Sequence, residues 1–381
     1  MPENESHHIG AACAKRHANP DLARARCNQK RDHAINSHAG QQQSSSGETW
    51  TFAVSGDSRN CGDVVMPAIA AAATKGQAAF YWHLGDLRAI YGPDEDYQHD
   101  PEHRGKKIVK SEYLENAWDD FIQNQLGPFG NMPVFVGIGN HETVPPKTRE
   151  QFATKFAQWL DAPPLKQQRV ADDPQNSSPK TYFHWIQGGV DFIYLDNATR
   201  DQFAPEQVAW LEGVIQRAAA NSSVHAVVVG MHAALPDSLA HGHSMNDWPL
   251  GLESGHRVYA DLLAFKKKTN KNVYLLASHS HFYISGIFHS DYWKANGGEL
   301  PGWIIGTAGA VRYALPPEAS FAKEAKTKIY GLLLATVHGD GQIDFKFHEV
   351  KKSDVPQAVV QRYTPELVDY CFEKNTDFQG K

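Results

Sequence analysis

Apolar runs and helix-like repeats alternate along most of the chain after residue 48. Short apolar runs predict buried strands, whereas apolar residues at three- and four-residue spacing predict one face of a helix. The predicted strands are 50–56, 79–85, 132–139, 224–230 and 272–278, and the predicted helices are 64–75, 113–126, 148–160 and 205–220. Strands that alternate with helices in this way indicate an α/β fold.

The last third of the chain is richer in strands. Three further apolar runs occupy 302–309, 330–337 and 343–350, and "VHGDGQID" between the last two predicts a hairpin turn. Late hairpins favour mixed sheets over purely parallel ones. We expect one domain over residues 49–352, preceded by a disordered or loosely attached leader over 1–48 and followed by a C-terminal extension over 353–381. Three stretches, 92–108, 161–181 and 236–255, are predicted to be surface loops that set the substrate.

Composition and charge exclude several classes of function. The chain has 381 residues, 41% of them hydrophobic, which is enough for a sizeable core. Its net charge is −6 and it has no block of five or six like charges, so neither a nucleic acid nor a membrane surface is indicated as a partner. Its apolar runs are too short to span a bilayer, which takes roughly 18–20 residues. The oligomeric state stays open.

Two further features bear on where the chain works. The first 30 residues lack the apolar core of a signal peptide, so the default expectation is the cytoplasm, with export possible if the start site is misassigned. The four cysteines form no CxxC pair, which leaves a disulfide open.

Five predicted strands end in the same way, with a small residue followed by polar side chains. The endings are "VSGDSRN", "HLGDLR", "GIGNHET", "VVGMHAA" and "LASHSHF". Ligands of open α/β sheets bind beyond the carboxyl ends of strands. The endings would therefore deliver seven side chains to one rim: Asp57, Asp86, Asn140, His141, His232, His279 and His281. Each ending alone is an ordinary strand-to-loop transition, but the whole series is hard to obtain by chance. Gly56, Gly85 and Gly139 would let the backbone turn sharply before the polar residues.

This series resembles the signature of the calcineurin-like metallophosphoesterase superfamily. That signature runs D-x-H, GD, GNH[ED], a single His and GH-x-H. "GNHE" at 139–142 fits it fully, and "SHSH" at 278–281 fits with Ser278 in place of Gly. The resemblance covers residues 51 to about 350. It implies a layered α/β/β/α sandwich with two mixed sheets.

The resemblance also implies a metal centre and a reaction. Asp86 would bridge two ions, one held also by Asn140, His232 and His279, and the other by Asp57 and His281. Mixed carboxylate, amide and imidazole ligands suit Mn, Fe or Zn, so the implied cofactors are two divalent or mixed-valence transition metal ions. A bridging hydroxide would attack a phosphoester, and His141 would protonate the leaving oxygen or steady the phosphate. The implied partner is a phosphorylated small molecule, with a monoester slightly favoured over a diester.

The first motif departs from the family pattern. Asp57 is followed by Ser58 and Arg59, and an arginine does not ligate metals because it keeps its proton. Asn60 or water would have to replace the expected His, and Asn60 is also predicted to contact the substrate. Arg59 and Arg88 are predicted to bind phosphate oxygens through their guanidinium forks, with an ion pair to a neighbouring acid as the alternative.

Several interpretations stay open from the sequence. The alternative to a hydrolase is a catalytically weak or inactive relative that binds metal or phosphate in an assembly. A serine hydrolase is disfavoured because the chain has no G-x-S-x-G motif. Glu142 either orients His141 or is a surface charge. His241 and His243 either line the site or belong to a mobile loop.

Overall fold

The structure is a computed structural model, and it describes residues 49–175, 178–199, 201–240 and 242–377. The predicted leader over 1–48 lies outside the described residues. The strands are β1 Trp50–Ser55, β2 Ala78–His83, β3 Val134–Val136, β4 Phe183–Gln187, β5 Val190–Leu195, β6 Ala226–Met231, β7 Asn272–Ala277, β8 Tyr283–Ser285, β9 Gly302–Ile305, β10 Glu324–Lys326, β11 Tyr330–Val337 and β12 Ile343–Val350. The helices are α1 Gly62–Lys75, α2 Glu95–His99, α3 Lys110–Phe121, α4 Arg149–Lys155, α5 Ala157–Leu160, α6 Pro163–Asp172, α7 Pro205–Ala220, α8 Pro249–Thr269, α9 Asp291–Ala295 and α10 Gln357–Asp369.

The strands form two mixed sheets. The first has the order β12-β11-β1-β2-β3, and the second has the order β10-β8-β9-β7-β6-β5-β4. Within the first sheet β1, β2 and β3 run parallel, while β11 and β12 form the predicted hairpin. Within the second sheet β5, β6, β7 and β9 run parallel. Parallel neighbours end at one edge of a sheet, and these edges carry the site described below.

Large aromatic side chains fill the space between the two sheets. The ring centroids of Phe52 and Phe192 lie 5.1 Å apart, and those of Trp82 and Trp185 lie 5.3 Å apart. Each pair joins one residue from each sheet, so the inner core is a sheet-on-sheet contact. Aromatic pairs at this separation add attraction beyond the area that they bury.

Helices cover the outer faces of both sheets. On the first sheet, α1 packs Val65 and Ile69 among buried residues of β2 and β11. On the second sheet, α7 and α8 pack Leu211 and Leu262 among buried residues of β6 and β7. The layers are therefore α/β/β/α, and the predicted sandwich with two mixed sheets is confirmed.

All three predicted loops contain helices, and the segment 92–108 holds the short α2. The segment 161–181 holds α6, which begins at Pro163, where the missing N–H of proline is tolerated, and buries Leu165. The segment 236–255 runs into α8, whose 21 residues bury Val258, Leu262 and Phe265 at helical spacing. Prolines and charged residues at the start of each helix concealed these apolar positions from the sequence pattern.

The segment after β12 is tied to the domain. A disulfide joins Cys61, just before α1, to Cys371 beyond α10. The hydroxyl of Tyr363 donates to Asp63 Oδ2 at 2.9 Å. Cys61 and Asp63 lie just after the loop that carries Asp57, so the C-terminal segment supports that loop. None of the helices in the described ranges has the length and apolar composition needed to cross a bilayer.

Candidate metal centre

The ends of five parallel strands bring the predicted site residues to one place. Asp57 follows β1, Asp86 follows β2, Asn140 and His141 follow β3, His232 follows β6, and His279 and His281 follow β7. Three of these strands belong to the first sheet and two to the second. The site therefore lies where the edges of the two sheets meet.

Three of these residues have a left-handed backbone. The φ angles are 60° at Asp57, 59° at Asp86 and 64° at His279. A residue with a side chain rarely adopts this conformation, and such strain collects at functional sites. The sequence predicts the sharp turn at the preceding glycines, but of Gly56, Gly85 and Gly139 only Gly85 has a positive φ. Gly139 is needed for space instead, since a Cβ there would lie 2.3 Å from Asp86 Oδ1.

Four donor atoms converge in what we call the first donor set: Asp86 Oδ1, Asn140 Oδ1, His232 Nε2 and His279 Nδ1. His232 Nε2 lies 3.2 Å from the Asp86 oxygen, 3.0 Å from the Asn140 oxygen and 3.1 Å from the His279 nitrogen. His232 Nδ1 lies 3.0 Å from the carbonyl oxygen of Leu84. A carbonyl only accepts, so Nδ1 carries the proton and the lone pair of Nε2 points into the set. This set fits a transition metal ion.

A second donor set shares Asp86 with the first. It comprises carboxylate oxygens of Asp57 and Asp86 and a ring nitrogen of His281, all within 4.8 Å of one another. His281 Nδ1 donates to the carbonyl oxygen of Val311 at 2.6 Å, which leaves the lone pair on Nε2. Among the described residues, Asp57 Oδ1 and Asp86 Oδ2 are buried without a hydrogen-bond partner. Orphaned buried carboxylate oxygens indicate a place for positive charge.

The positive charge beside the second donor set is Arg59. Its side chain is buried, with Nη2 at 3.3 Å from His281 Nε2 and Nε at 3.8 Å from Asp86 Oδ2. The hydroxyls of Tyr91 and Tyr313 accept hydrogen bonds from the same guanidinium at 3.0 and 3.4 Å. The second donor set therefore does not fit a metal ion as the first set does, because a cationic side chain already contacts it.

The electrostatics of the site favour positive charge. Burial alone would lower the pKa of His232, but the carboxylates of Asp86 and Asp57 and the carbonyl of Leu84 together outweigh it and raise that pKa to about 9. Burial likewise opposes ionisation of Asp86, yet His141, His232 and Arg59 together hold its pKa well below the usual value. A cation bound at the first donor set would meet the same carboxylate.

His141 and Glu142 take different parts in the site. His141 Nδ1 donates to the carbonyl oxygen of Ala89 at 2.6 Å, and its Nε2 lies 3.6 Å from Asp86 Oδ2. Glu142 is buried and accepts three backbone N–H groups, those of Asp86, Leu87 and Gly139. Glu142 is therefore neither a surface charge nor the partner of His141, since it fastens the Asp86 loop to the His141 loop.

Two predicted substrate contacts need correction. Arg88 is fully buried, and its guanidinium pairs with Asp63 at 2.5 Å and with Asp96 at 2.7 Å. Asn60 donates from Nδ2 to Asn375 Oδ1 at 2.6 Å, and its Oδ1 accepts the backbone N–H of Glu95 at 3.1 Å. Both side chains are used within the protein, so neither reaches a substrate or replaces the missing ligand.

Three rings surround the site, and the sequence left the place of His243 open and assigned no role to Tyr91 or Tyr313. Tyr313 stacks on His281 with centroids 4.0 Å apart, and His243 lies 5.2 Å from Tyr313 and 5.5 Å from His279. Tyr91 lies 5.1 Å from His141. His243 therefore lines the site, while His241 falls outside the described residues. The sequence held one signal for Tyr313. Small residues follow β9, as they follow the other site strands, but Tyr313 lies seven residues after the first of them, Gly306.

Neither the protein-family models nor the curated proteins contain a match to this chain. Solved structures do match. PhoD superposes with a TM-score of 0.51 at 17% identity, over 80% of this chain and 69% of that one. The chain has a metallophosphoesterase-type fold. Purple acid phosphatase PPD1 from yellow lupin (Lupinus luteus) seeds matches with a TM-score of 0.50 at 16% identity. That match covers 81% of this chain and 55% of the lupin protein. At such identities the likeness concerns the fold alone, and the fold expected from the motifs is confirmed.

Proposed function

We propose that this chain is a metal-dependent phosphoester hydrolase. The observation that carries the proposal is the convergence of Asp86, Asn140, His232 and His279 at the strand ends of a metallophosphoesterase-type fold. One carboxylate, one amide and two imidazoles suit Mn, Fe or Zn better than Mg or Ca. A purple acid phosphatase shares the fold, which supports phosphate esters as the substrate class.

The side chains around the first donor set divide the remaining work. An ion held by Asp86, Asn140, His232 and His279 would supply Lewis-acid chemistry, which neutralises charge on phosphoryl oxygens and lowers the pKa of a water molecule. Arg59 places a fixed positive charge beside the site, and its Nε has no hydrogen-bond partner in the described part of the chain. The Nδ1–H of His141 donates a hydrogen bond to the Ala89 carbonyl oxygen, so Nε2 is the atom that exchanges a proton with the leaving oxygen.

We propose a small phosphomonoester as the preferred substrate. A terminal phosphate carries more negative charge than a diester, and Arg59 adds positive charge where that phosphate would sit. Arg88 does not contribute to this preference, because its guanidinium forms ion pairs with buried carboxylates. The preference over diesters therefore rests on Arg59.

Hydrolysis of p-nitrophenyl phosphate and of its bis ester tests the proposal. Chelation should abolish turnover, and added Mn²⁺ should restore it, with the monoester cleaved faster. A related ester series with different leaving groups would then define the substrate. Folded protein that retains its metal but cleaves neither series contradicts the proposal.

A second candidate function is a catalytically weak or inactive relative that binds metal or phosphate in an assembly. Arg59 favours it, because a guanidinium contacts the second donor set where the family motif has a metal-ligating His. The two candidates differ in one combined measurement. Metal bound tightly without turnover supports the binding role, whereas metal-dependent turnover supports the hydrolase.

His141→Ala should lower kcat by about 10²-fold or more while the metal content stays unchanged. The variant removes Nε2, the atom assigned to proton exchange, but none of the first donor set. Elemental analysis and steady-state kinetics on the same preparation check both halves of this expectation. His99→Ala is the matched control, because that imidazole is half-exposed and bonds only within its own helix. An unchanged kcat would remove the role of His141, and lost metal would make His141 a ligand.

We also propose that the chain works in an oxidising compartment, in contrast to the cytoplasmic default expected from the sequence. The Cys61–Cys371 disulfide carries this proposal, since such bonds persist mainly in exported proteins. Peptide mapping of protein from cells lysed in an alkylating agent should recover the two cysteines in one linked peptide pair. Recovery of alkylated Cys61 would contradict it.

A further inference from the structure

We propose that the centre holds one metal ion, at the first donor set, and that the Arg59 guanidinium supplies the second positive charge at the second donor set. The proposal rests on the proposed function only in requiring that the first donor set binds an ion. It departs from the two ions that the sequence resemblance implied. The departure comes from the contacts of one side chain.

The lone pair that a second ion would need is already used. His281 Nδ1 donates to the Val311 carbonyl, so the lone pair of this ring is on Nε2. An N–H of Arg59 Nη2 approaches that nitrogen at 3.3 Å. A single lone pair does not serve a hydrogen bond and a metal bond at once. Arginine keeps its proton at ordinary pH, so Arg59 does not become a ligand itself.

The guanidinium is held in this position from several sides. Tyr91 and Tyr313 accept from Nη1 and Nη2, and the Tyr313 ring also stacks on His281. The Asp86 carboxylate lies 3.8 Å from Nε. The side chain is only 7% exposed, so it cannot leave the site without giving up these contacts in a buried place. Arg59 is therefore a fixed part of the centre.

Charge accounts for what the guanidinium does there. The second donor set contributes Asp57 and shares Asp86, so it needs positive charge, and Arg59 provides one unit without any ion. A further cation beside the guanidinium would meet like-charge repulsion. At about 4 Å and an effective dielectric of 20, one pair of unit charges changes an affinity by roughly 10²- to 10³-fold. Arg59 thus excludes the second ion and supplies part of the positive charge that this ion would bring.

Counting Mn²⁺ sites tests this inference without any assay of activity. Metal-free protein is titrated with Mn²⁺, and the free ion is measured by its electron paramagnetic resonance signal. The unaltered chain should show one site. Arg59→His restores the family motif and should show two, the second bound at least about 10²-fold more tightly than any second ion on the unaltered chain. A spin-coupled signal from the ion pair should appear in this variant alone.

Arg59→Ala is the companion variant, because it removes the charge without adding a ligand and should also gain a second, weaker site. It decides the question if Arg59→His fails to fold by circular dichroism. Arg257→His is the control, since that arginine lies on the surface and should leave the count at one. Two sites on the unaltered chain, or one site on every folded Arg59 variant, overturns the inference while the proposed function stands. No site on the unaltered chain contradicts both.

Discussion

Replacing Asp86 with Ala should abolish metal binding at the first donor set and lower turnover by roughly 10³-fold or more. Asp86 is the only carboxylate in that set, beside an amide and two imidazoles. Bound metal is worth several kcal/mol of transition-state stabilisation, and each 1.36 kcal/mol is about tenfold in rate. Elemental analysis and kinetics of the purified variant measure both effects.

Asp86→Asn separates the charge from the shape. Asn tolerates the left-handed backbone at this position and still offers an oxygen to the backbone N–H of His141. Metal affinity should fall by about 10²-fold or more, because one unit of negative charge is lost at the ion. The metal-free variant should be less stable than the metal-free parent, because the fold holds the Asp86 carboxylate ionised beside Arg59 and His232, and Asn leaves those groups buried without its charge. Asp291→Asn, on the exposed surface, should change nothing. Metal retained at full affinity in Asp86→Asn would contradict the assigned ligand.

Replacing Arg88 with Ala should cost about 3–5 kcal/mol of the free energy of unfolding. Its buried guanidinium contacts Asp63, Asp94, Asp96 and Asp120. Without it, these carboxylates are buried together with no opposite charge, and each is costly to desolvate. Urea unfolding monitored by fluorescence gives the difference directly.

The matched control for Arg88 is an arginine pair on the surface. Arg257 pairs with Glu212, and both side chains are substantially exposed, so Arg257→Ala should cost no more than about 1 kcal/mol. Metal-loaded Arg88→Ala that still folds should keep its KM, because Arg88 touches no substrate. A raised KM with unchanged stability would restore the role in phosphate binding that the sequence suggested.

The layered fold could be predicted because local patterns and the strand-end motifs agree. Buried runs such as 50–56 and 272–278 became β1 and β7 within one or two residues. The helices at 163–172 and 249–269 could not be predicted, because each starts with proline and polar residues and buries its apolar positions only against a partner layer. Their helical state depends on tertiary packing more than on their own composition.

The convergence of the candidate ligands could also be predicted, because residues that directly follow parallel strands share one edge of a sheet. Arg88 shows where that reasoning stops. It lies two residues after Asp86, yet its side chain turns to carboxylates that reach it from other loops. Tyr313 shows the converse, since it joins the site through a turn whose path the sequence does not specify. Proximity along the chain gives the position of a backbone but not the direction of a side chain.

Anomalous X-ray diffraction at the manganese absorption edge, on crystals grown with saturating Mn²⁺, tests the central claim most directly. We predict a peak within bonding distance, about 2.0–2.3 Å, of Asp86 Oδ1, Asn140 Oδ1, His232 Nε2 and His279 Nδ1. Crystals that show no peak among these four atoms, with their side chains well ordered, would contradict it.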